Sequence, residues 1–405
     1  MVAEPIVPTC KLRVTATVRR LAIVDDENNK IMKSRFAREG GVLHIIPSRR
    51  GRGAQRAARI LVDRLNELGL PHHRLLALFD DAADVDVDFS LAHRNRRARP
   101  AEMFDPTLAL RLRTLLHRLH PAGVVAHGGD AMKYAVPALM GSGVPLVYCV
   151  IGTYAGPTAG LRTWLWKRIM ASASLVVAVG HEVAQECTGR FGAPPGRVIE
   201  IPNGRDPSLY CPRREPATGP PTLIFIGALT SQKRPDVFVE VVHRLRATSR
   251  PFRALIVGDG PLAAALRSEA GSKGVEMLGA RDDVPELLRA ADVLLFPSLA
   301  AGEGMPGVLI EAGLSGVACV STRVPGAAEV IEDGVTGILV GDGPDVIVEA
   351  VGRLFDDEVR RSAMGAAAHN RCESKFSLDL MARRWQTVLQ RLLRQEPTAG
   401  PTGMP

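Results

Sequence analysis

Short apolar runs recur along this chain, each closed by a Gly, Pro or charged turn and followed by helical periodicity, and this rhythm limits the fold to parallel α/β architecture. A first series falls at 42–46, 75–79, 124–126, 146–150, 175–179 and 198–201; a second falls at 222–226, 254–257, 275–278, 293–296, 317–320 and 337–340. Strands buried on both faces read as nearly continuous Val, Ile and Leu, as in Val42-Leu43-His44-Ile45-Ile46 and Val293-Leu294-Leu295-Phe296. The first helix is expected over 54–68. Between the two series, residues 206–221 turn to Asp-Pro, Cys-Pro, Glu-Pro and Gly-Pro-Pro, which no regular element tolerates. The 405 residues therefore divide into two α/β domains, 41–205 and 222–377, with a linker at 206–221 and an N-terminal extension outside the fold at 1–40. An amphipathic helix at 378–395 is expected to return to the first domain, and 396–405 to form a disordered tail.

Composition narrows the function. A formal charge of +8 calls for an anionic partner, but aromatic residues make up only 4% of the chain and are not interleaved with the basic ones, so nucleic acid is not expected. Phosphorylated ligands or lipid head groups remain. Arg49, Arg50, Arg52, Arg56 and Arg59, with Arg94, Arg96, Arg97 and Arg99, make the first domain cationic. They read either as a solvated face or as a peripheral dock for an anionic membrane, each residue contributing about 1 kcal/mol before salt screening. No apolar run is long enough to cross a bilayer, and Lys11, Arg13, Arg19 and Arg20 stand where a signal peptide needs an apolar centre, so a cytoplasmic protein is expected. Six scattered cysteines form neither zinc nor disulfide spacing and read as small buried hydrophobes. The run Asp84-Val85-Asp86-Val87-Asp88 has a metal-holding pattern but sits in a charged connection, so it reads as a solvated acidic loop and no metal site is expected.

The residues with most chemical content follow the run at 293–296. Pro297 ends that strand, and the loop 298–305 opens into a helix containing Glu311. In an open α/β sheet this junction faces the ligand crevice, where the free amides of Gly307, Val308 and Leu309 and the helix dipole suit a diphosphate. Gly304 and Gly307 permit close backbone approach. Carboxylates beside a phosphate repel it, so Glu303 is assigned to a sugar hydroxyl and Glu311 to the ribose. Taken alone, Glu311 would be a first-turn residue favoured by the dipole and Glu303 a solvated loop charge. His127 closes the run at 124–126 and stands in the crevice; the plainer reading is a hydrogen-bonded structural histidine.

Several segments in order carry a family resemblance: Gly51-Arg52-Gly53-Ala54-Gln55-Arg56, Ile201-Pro202-Asn203-Gly204, Val257-Gly258-Asp259-Gly260-Pro261, Leu278-Gly279-Ala280-Arg281-Asp282-Asp283-Val284, Glu303 through Glu311, and Pro325-Gly326-Ala327-Ala328-Glu329. Together they resemble glycosyltransferase family 4, whose signature is the E-x7-E spacing of Glu303 and Glu311. The resemblance covers roughly 42–390. It implies the GT-B fold, two Rossmann-like domains with parallel sheets facing an interdomain cleft. It also implies a retaining transfer from a nucleotide-diphosphate sugar, such as a UDP- or GDP-sugar, to an unidentified lipid, saccharide or small-molecule acceptor, with no cofactor. The catalytic set becomes His127, Lys233 and Glu303; the donor-binding set becomes Gly53, Lys233, Arg234, Arg281, Glu303, Gly304, Gly307, Val308, Leu309 and Glu311. Lys233 is assigned to the β-phosphate. Ala228 stands where the family carries an arginine, and Arg234 or Arg281 is expected to replace that charge. A GT-B epimerase or phosphorylase, or a nucleotide-sugar-binding partner without catalysis, are the alternatives.

Overall fold

A computed structural model of the chain describes residue 36 and residues 40–393, apart from 52, 70–71, 81, 92–103, 155–159, 215–218, 249–250 and 302. The expected extension and tail therefore fall almost wholly outside the described residues, as do Arg52, Arg94, Arg96, Arg97 and Arg99.

Two parallel sheets form, one in each half, and the fold is two Rossmann-like α/β domains. The first sheet contains β1 (Val42–Ser48), β2 (His73–Phe79), β3 (Phe89–Ser90), β4 (Gly123–His127), β5 (Leu146–Val150), β6 (Leu175–Ala178) and β7 (Val198–Glu200). Its spatial order is β3-β2-β1-β4-β5-β6-β7. The second contains β8 (Thr222–Ile226), β9 (Arg253–Val257), β10 (Glu276–Gly279), β11 (Val293–Phe296), β12 (Ala318–Thr322) and β13 (Ile338–Val340), in the order β10-β9-β8-β11-β12-β13. Strand order reverses beside β1 and β4 and again beside β8 and β11, which opens a crevice at the carboxyl ends of those strands. β3 was not expected: it is a two-residue edge strand with no apolar run to announce it.

The sheets are held by helices on both faces. The helix Gly53–Glu67 buries Ala58, Leu61, Val62 and Leu65 at helical spacing against the first sheet. The helix Leu378–Leu393 packs Met381, Trp385, Val388 and Leu389 against Val42, Leu61, Val125 and Val147. Each such side chain contributes about 1.5–3 kcal/mol by leaving water, so the last helix of the chain is anchored on its first sheet.

Two readings of the charged surface need correction. Asp88 is not solvated: it accepts from Arg74 at 3.0 Å, from Arg59 at 3.3 Å and from the Leu75 amide at 2.9 Å, while Asp84 accepts from the Gly51 amide at 2.9 Å. Arg49 is not part of an exposed cationic face, because it is buried, 3.0 Å from Asp80 and 3.0 Å from the Val85 carbonyl. Acidic and basic runs distant in sequence thus meet and neutralise each other. Among the described residues no group of His, Cys, Asp and Glu could hold a metal ion, and no helix is long and apolar enough to cross a membrane.

Candidate active site

The two sheets end on a shared cleft of about 480 Å³, lined from the first domain by Gly53, His127, Thr153 and Trp166 and from the second by Gln232, Lys233, Glu303, Gly304 and Gly307. β11 delivers its loop to this space, and the loop after the neighbouring strand β8 delivers Lys233 beside it. Lys233 Nζ lies 4.8 Å from the Phe296 ring centroid, so an apolar face supports the ammonium and limits its wandering.

Glu303 is buried and not solvated. Three donors converge on its Oε1: Lys233 Nζ at 2.5 Å, Ser298 Oγ at 2.8 Å and Gln232 Nε2 at 3.2 Å. Its Oε2 accepts no hydrogen bond from the described residues, leaving an oriented carboxylate oxygen for a hydroxyl donor. Ser298 and Gln232 are not among the residues expected from the sequence; Gln232 adjoins Lys233, and Ser298 opens the loop that carries Glu303.

The helix Gly307–Leu314 begins at Pro306, whose backbone is extended and whose side chain cannot cap it. The amides of Gly307 and Val308 consequently have no partner within the helix. Leu309 behaves differently, since its amide donates to the Pro306 carbonyl at 3.2 Å and its side chain is buried. Of the three expected residues Gly307 lines the cleft, whereas Val308 and Leu309 do not.

Glu311 is not on the cleft lining. It is held instead by Arg205, whose Nε donates to Glu311 Oε1 at 2.6 Å. Arg234 and Arg281 do not reach the cleft either. Arg234 Nη2 donates to the Asp342 carbonyl at 3.1 Å, and Arg281 forks onto Asp283 at 2.8 and 2.6 Å on an exposed loop. The arginine that does line the cleft, Arg205, follows the Asn203-Gly204 turn and went unremarked.

His127 reaches the cleft from behind a row of imidazoles. β1 pairs with β2 and β4 so that His44 lies beside Leu75 and Val125; His73 and His127, two residues away in opposite directions, share its face of the sheet. His44 Nε2 is 3.0 Å from His73 Nδ1 and His44 Nδ1 is 3.0 Å from His127 Nε2. All three rings are buried, and desolvation holds their pKa values down, His73 and His127 to about 4 and His44 well below 6.5. His127 is therefore both a structural histidine and a wall of the cleft, a neutral ring with Nε2 committed to His44 and Nδ1 without a hydrogen-bond partner among the described residues.

The domains meet at backbone. Gly152 and Gly304 form an antiparallel bridge, and Thr153 donates both its amide and its hydroxyl to the Glu303 carbonyl at 3.0 and 3.1 Å. A Cβ on Gly304 would fall 2.3 Å from the Ile151 carbonyl oxygen, so this glycine is required by the facing domain. Farther along, Glu329 Oε1 accepts the His181 amide at 2.7 Å, capping the helix His181–Gly189 from the other domain.

Comparison with known proteins gives the family and the fold. Residues 51–209 match the family described as Glycosyltransferase Family 4, and residues 220–357 match Glycosyl transferases group 1. A D-inositol 3-phosphate glycosyltransferase of Nocardia farcinica is 33% identical over 228 residues, 50% of each chain. An N-acetyl-alpha-D-glucosaminyl L-malate synthase of Bacillus anthracis is 28% identical over 315 residues, 72% of this chain and 81% of that protein. The chain thus spans about half the length of the first relative and more of the second. Among solved structures, Anabaena HepE in complex with UDP and glucose superposes with a TM-score of 0.71 at 18% identity, over 86% of this chain and 99% of that one. Sucrose-phosphate synthase from Thermosynechococcus elongatus gives 0.74 at 16% identity, over 88% and 100%.

Proposed function

Because the chain belongs to glycosyltransferase family 4, we propose that it moves a sugar from a nucleotide-diphosphate donor, a UDP- or GDP-sugar, onto a lipid, saccharide or small-molecule acceptor with retention of anomeric configuration. The observation that carries this reading is the meeting of Lys233, Glu303 and the open start of the Gly307–Leu314 helix in one interdomain cleft. Negative charge grows on the diphosphate as the sugar leaves, and Lys233 with the Gly307 amide is placed to stabilise it. Glu303 Oε2 accepts from a sugar hydroxyl. His127 faces the sugar from the opposite wall, and its low pKa makes it a neutral hydrogen-bonding group and a poor proton acceptor. Retention follows from attack on the face the diphosphate leaves, with the departing phosphate taking the acceptor's proton.

The reaction needs no metal in this proposal, since Asp84 and Asp88 are engaged by a backbone amide and by arginines. We place the protein in the cytoplasm, with any contact to an anionic inner membrane face falling to exposed cations such as Arg56 in place of Arg49 or Arg59.

A thermal-shift panel of UDP, GDP, ADP and TDP tests the donor class. A ligand at 100 times its Kd adds about 2.7 kcal/mol to native stability, so one of the four is expected to raise the melting temperature by several degrees, and Glu311→Ala to diminish the rise. No response to any of the four at millimolar concentration defeats the proposal.

A further inference from the structure

The loop after β8, Gly227-Ala228-Leu229, brings no cation to the cleft before Lys233. A second cation nonetheless arrives, from the first domain's end of the chain. The Arg205 amide donates to the Phe376 carbonyl at 2.9 Å and its carbonyl accepts from the Leu378 amide at 2.8 Å, so its backbone is clamped between the last two helices. Its side chain is 10% exposed. Nε is committed to Glu311 at 2.6 Å and Nη1 to the Gly204 carbonyl at 3.0 Å, whereas Nη2 has no hydrogen-bond partner among the described residues. That nitrogen lies against Gly307, 1.9 Å from where a Cβ would stand.

This position is electrostatically wrong for a purely structural arginine. The start of a helix carries about half a positive charge and uncapped amides, and a nearly buried guanidinium beside it adds a full one, offset by the single carboxylate of Glu311. The same arrangement suits a site that receives a multiply charged anion.

We infer that Arg205 is a donor-binding residue that grips the diphosphate through Nη2 at the start of the Gly307–Leu314 helix, while its Nε holds Glu311 in position. The inference rests on the donor class proposed above. Gly307 lacks a side chain because the guanidinium occupies that space. Arg205 ties the phosphate grip to the carboxylate assigned to the ribose, so the two parts of the nucleotide are read by one fork. Lys233 and Arg205 then hold the diphosphate from different loops.

Calorimetric titration of UDP, GDP, uridine and guanosine into wild type, Arg205→Met and Arg205→Lys tests this. Arg205→Met is expected to weaken the diphosphate at least tenfold while changing the parent nucleoside less than twofold, and Arg205→Lys to restore part of the loss. Equal weakening of nucleoside and diphosphate would mean that Arg205 acts only by holding Glu311, and overturns the inference. To guard against an orphaned Glu311 disturbing the fold, Glu311→Gln is compared with Arg205→Met/Glu311→Gln: the double variant must lose the diphosphate preference that the single one keeps. Wild type that binds neither UDP nor GDP defeats the donor proposal itself and this inference with it; binding by wild type with an unchanged preference in both arginine variants defeats the inference alone.

Discussion

Lys233 Nζ lies 2.5 Å from Glu303 Oε1 across two loops of the second domain. The cation assigned to phosphate and the carboxylate assigned to a sugar hydroxyl therefore orient one another before either meets a substrate. Lys233→Ala is expected to lower turnover by about 10²-fold or more, because the charge that develops on the leaving diphosphate loses a preorganised partner. Single-turnover measurements with saturating donor check this, and wild-type turnover would remove Lys233 from the chemistry.

Gly304→Ala should act by steric wedging. The added methyl falls 2.3 Å from the Ile151 carbonyl oxygen and 2.8 Å from the Gly152 Cα, neither of which can move without opening the bridge between the domains. A stability loss of about 1–3 kcal/mol is expected, together with a drop in kcat/KM. Denaturant melts and steady-state rates on the same preparation read both, and an unaltered variant would mean that the Gly152–Gly304 contact is dispensable.

Acid should weaken the first domain through its imidazoles. The folded pKa values of His73 and His127 are about 4, below the 6.5 of an unfolded histidine. Between those limits the unfolded chain binds more protons, so stability is complete above pH 6.5 and declines as pH falls toward 4, by about 3 kcal/mol for each ring. His44, also held low by burial and by His73, His127 and Arg59, adds in the same direction. Urea melts at pH 7.5, 5.5 and 4.5 are expected to show falling midpoints, with His44→Leu flattening the slope; a level profile in the wild type would contradict the neutral row.

Asp88→Asn should cost about 1–3 kcal/mol of stability, since it removes a carboxylate shared by Arg59, Arg74 and the Leu75 amide. A chelator should leave transfer unchanged. Loss of activity on chelation, restored by a divalent cation, would return the acidic run to consideration as a metal holder.

Strands are legible in this sequence because parallel sheets bury both faces, turning 42–46 or 293–296 into runs without polar alternation. The E-x7-E spacing is legible too, because it is local. What sequence cannot show is partnership set by strand order. His73 and His127 lie 29 and 83 residues from His44 along the chain and become its neighbours only when β1 is laid between β2 and β4. Arg205 is hidden similarly: its partners, Glu311 and Gly307, are more than a hundred residues away. The usable signal was a lone arginine directly after Asn203-Gly204, at the edge of a proline-rich linker. Arg234 and Arg281 draw attention by sequence proximity to Lys233 and to the β10 loop, but Arg234 Nη2 is spent on the Asp342 carbonyl, with Nη1 buried and unpartnered among the described residues, and Arg281 is spent on Asp283.

Glu303 is fastened twice, by its carbonyl to Thr153 of the first domain and by its carboxylate to Lys233 of the second. Swinging the domains apart must either tear the first fastening or drag the acid off the lysine. In the transfer proposed above, the opening of the cleft and the seating of the acid on its lysine would thereby be coupled through a single residue.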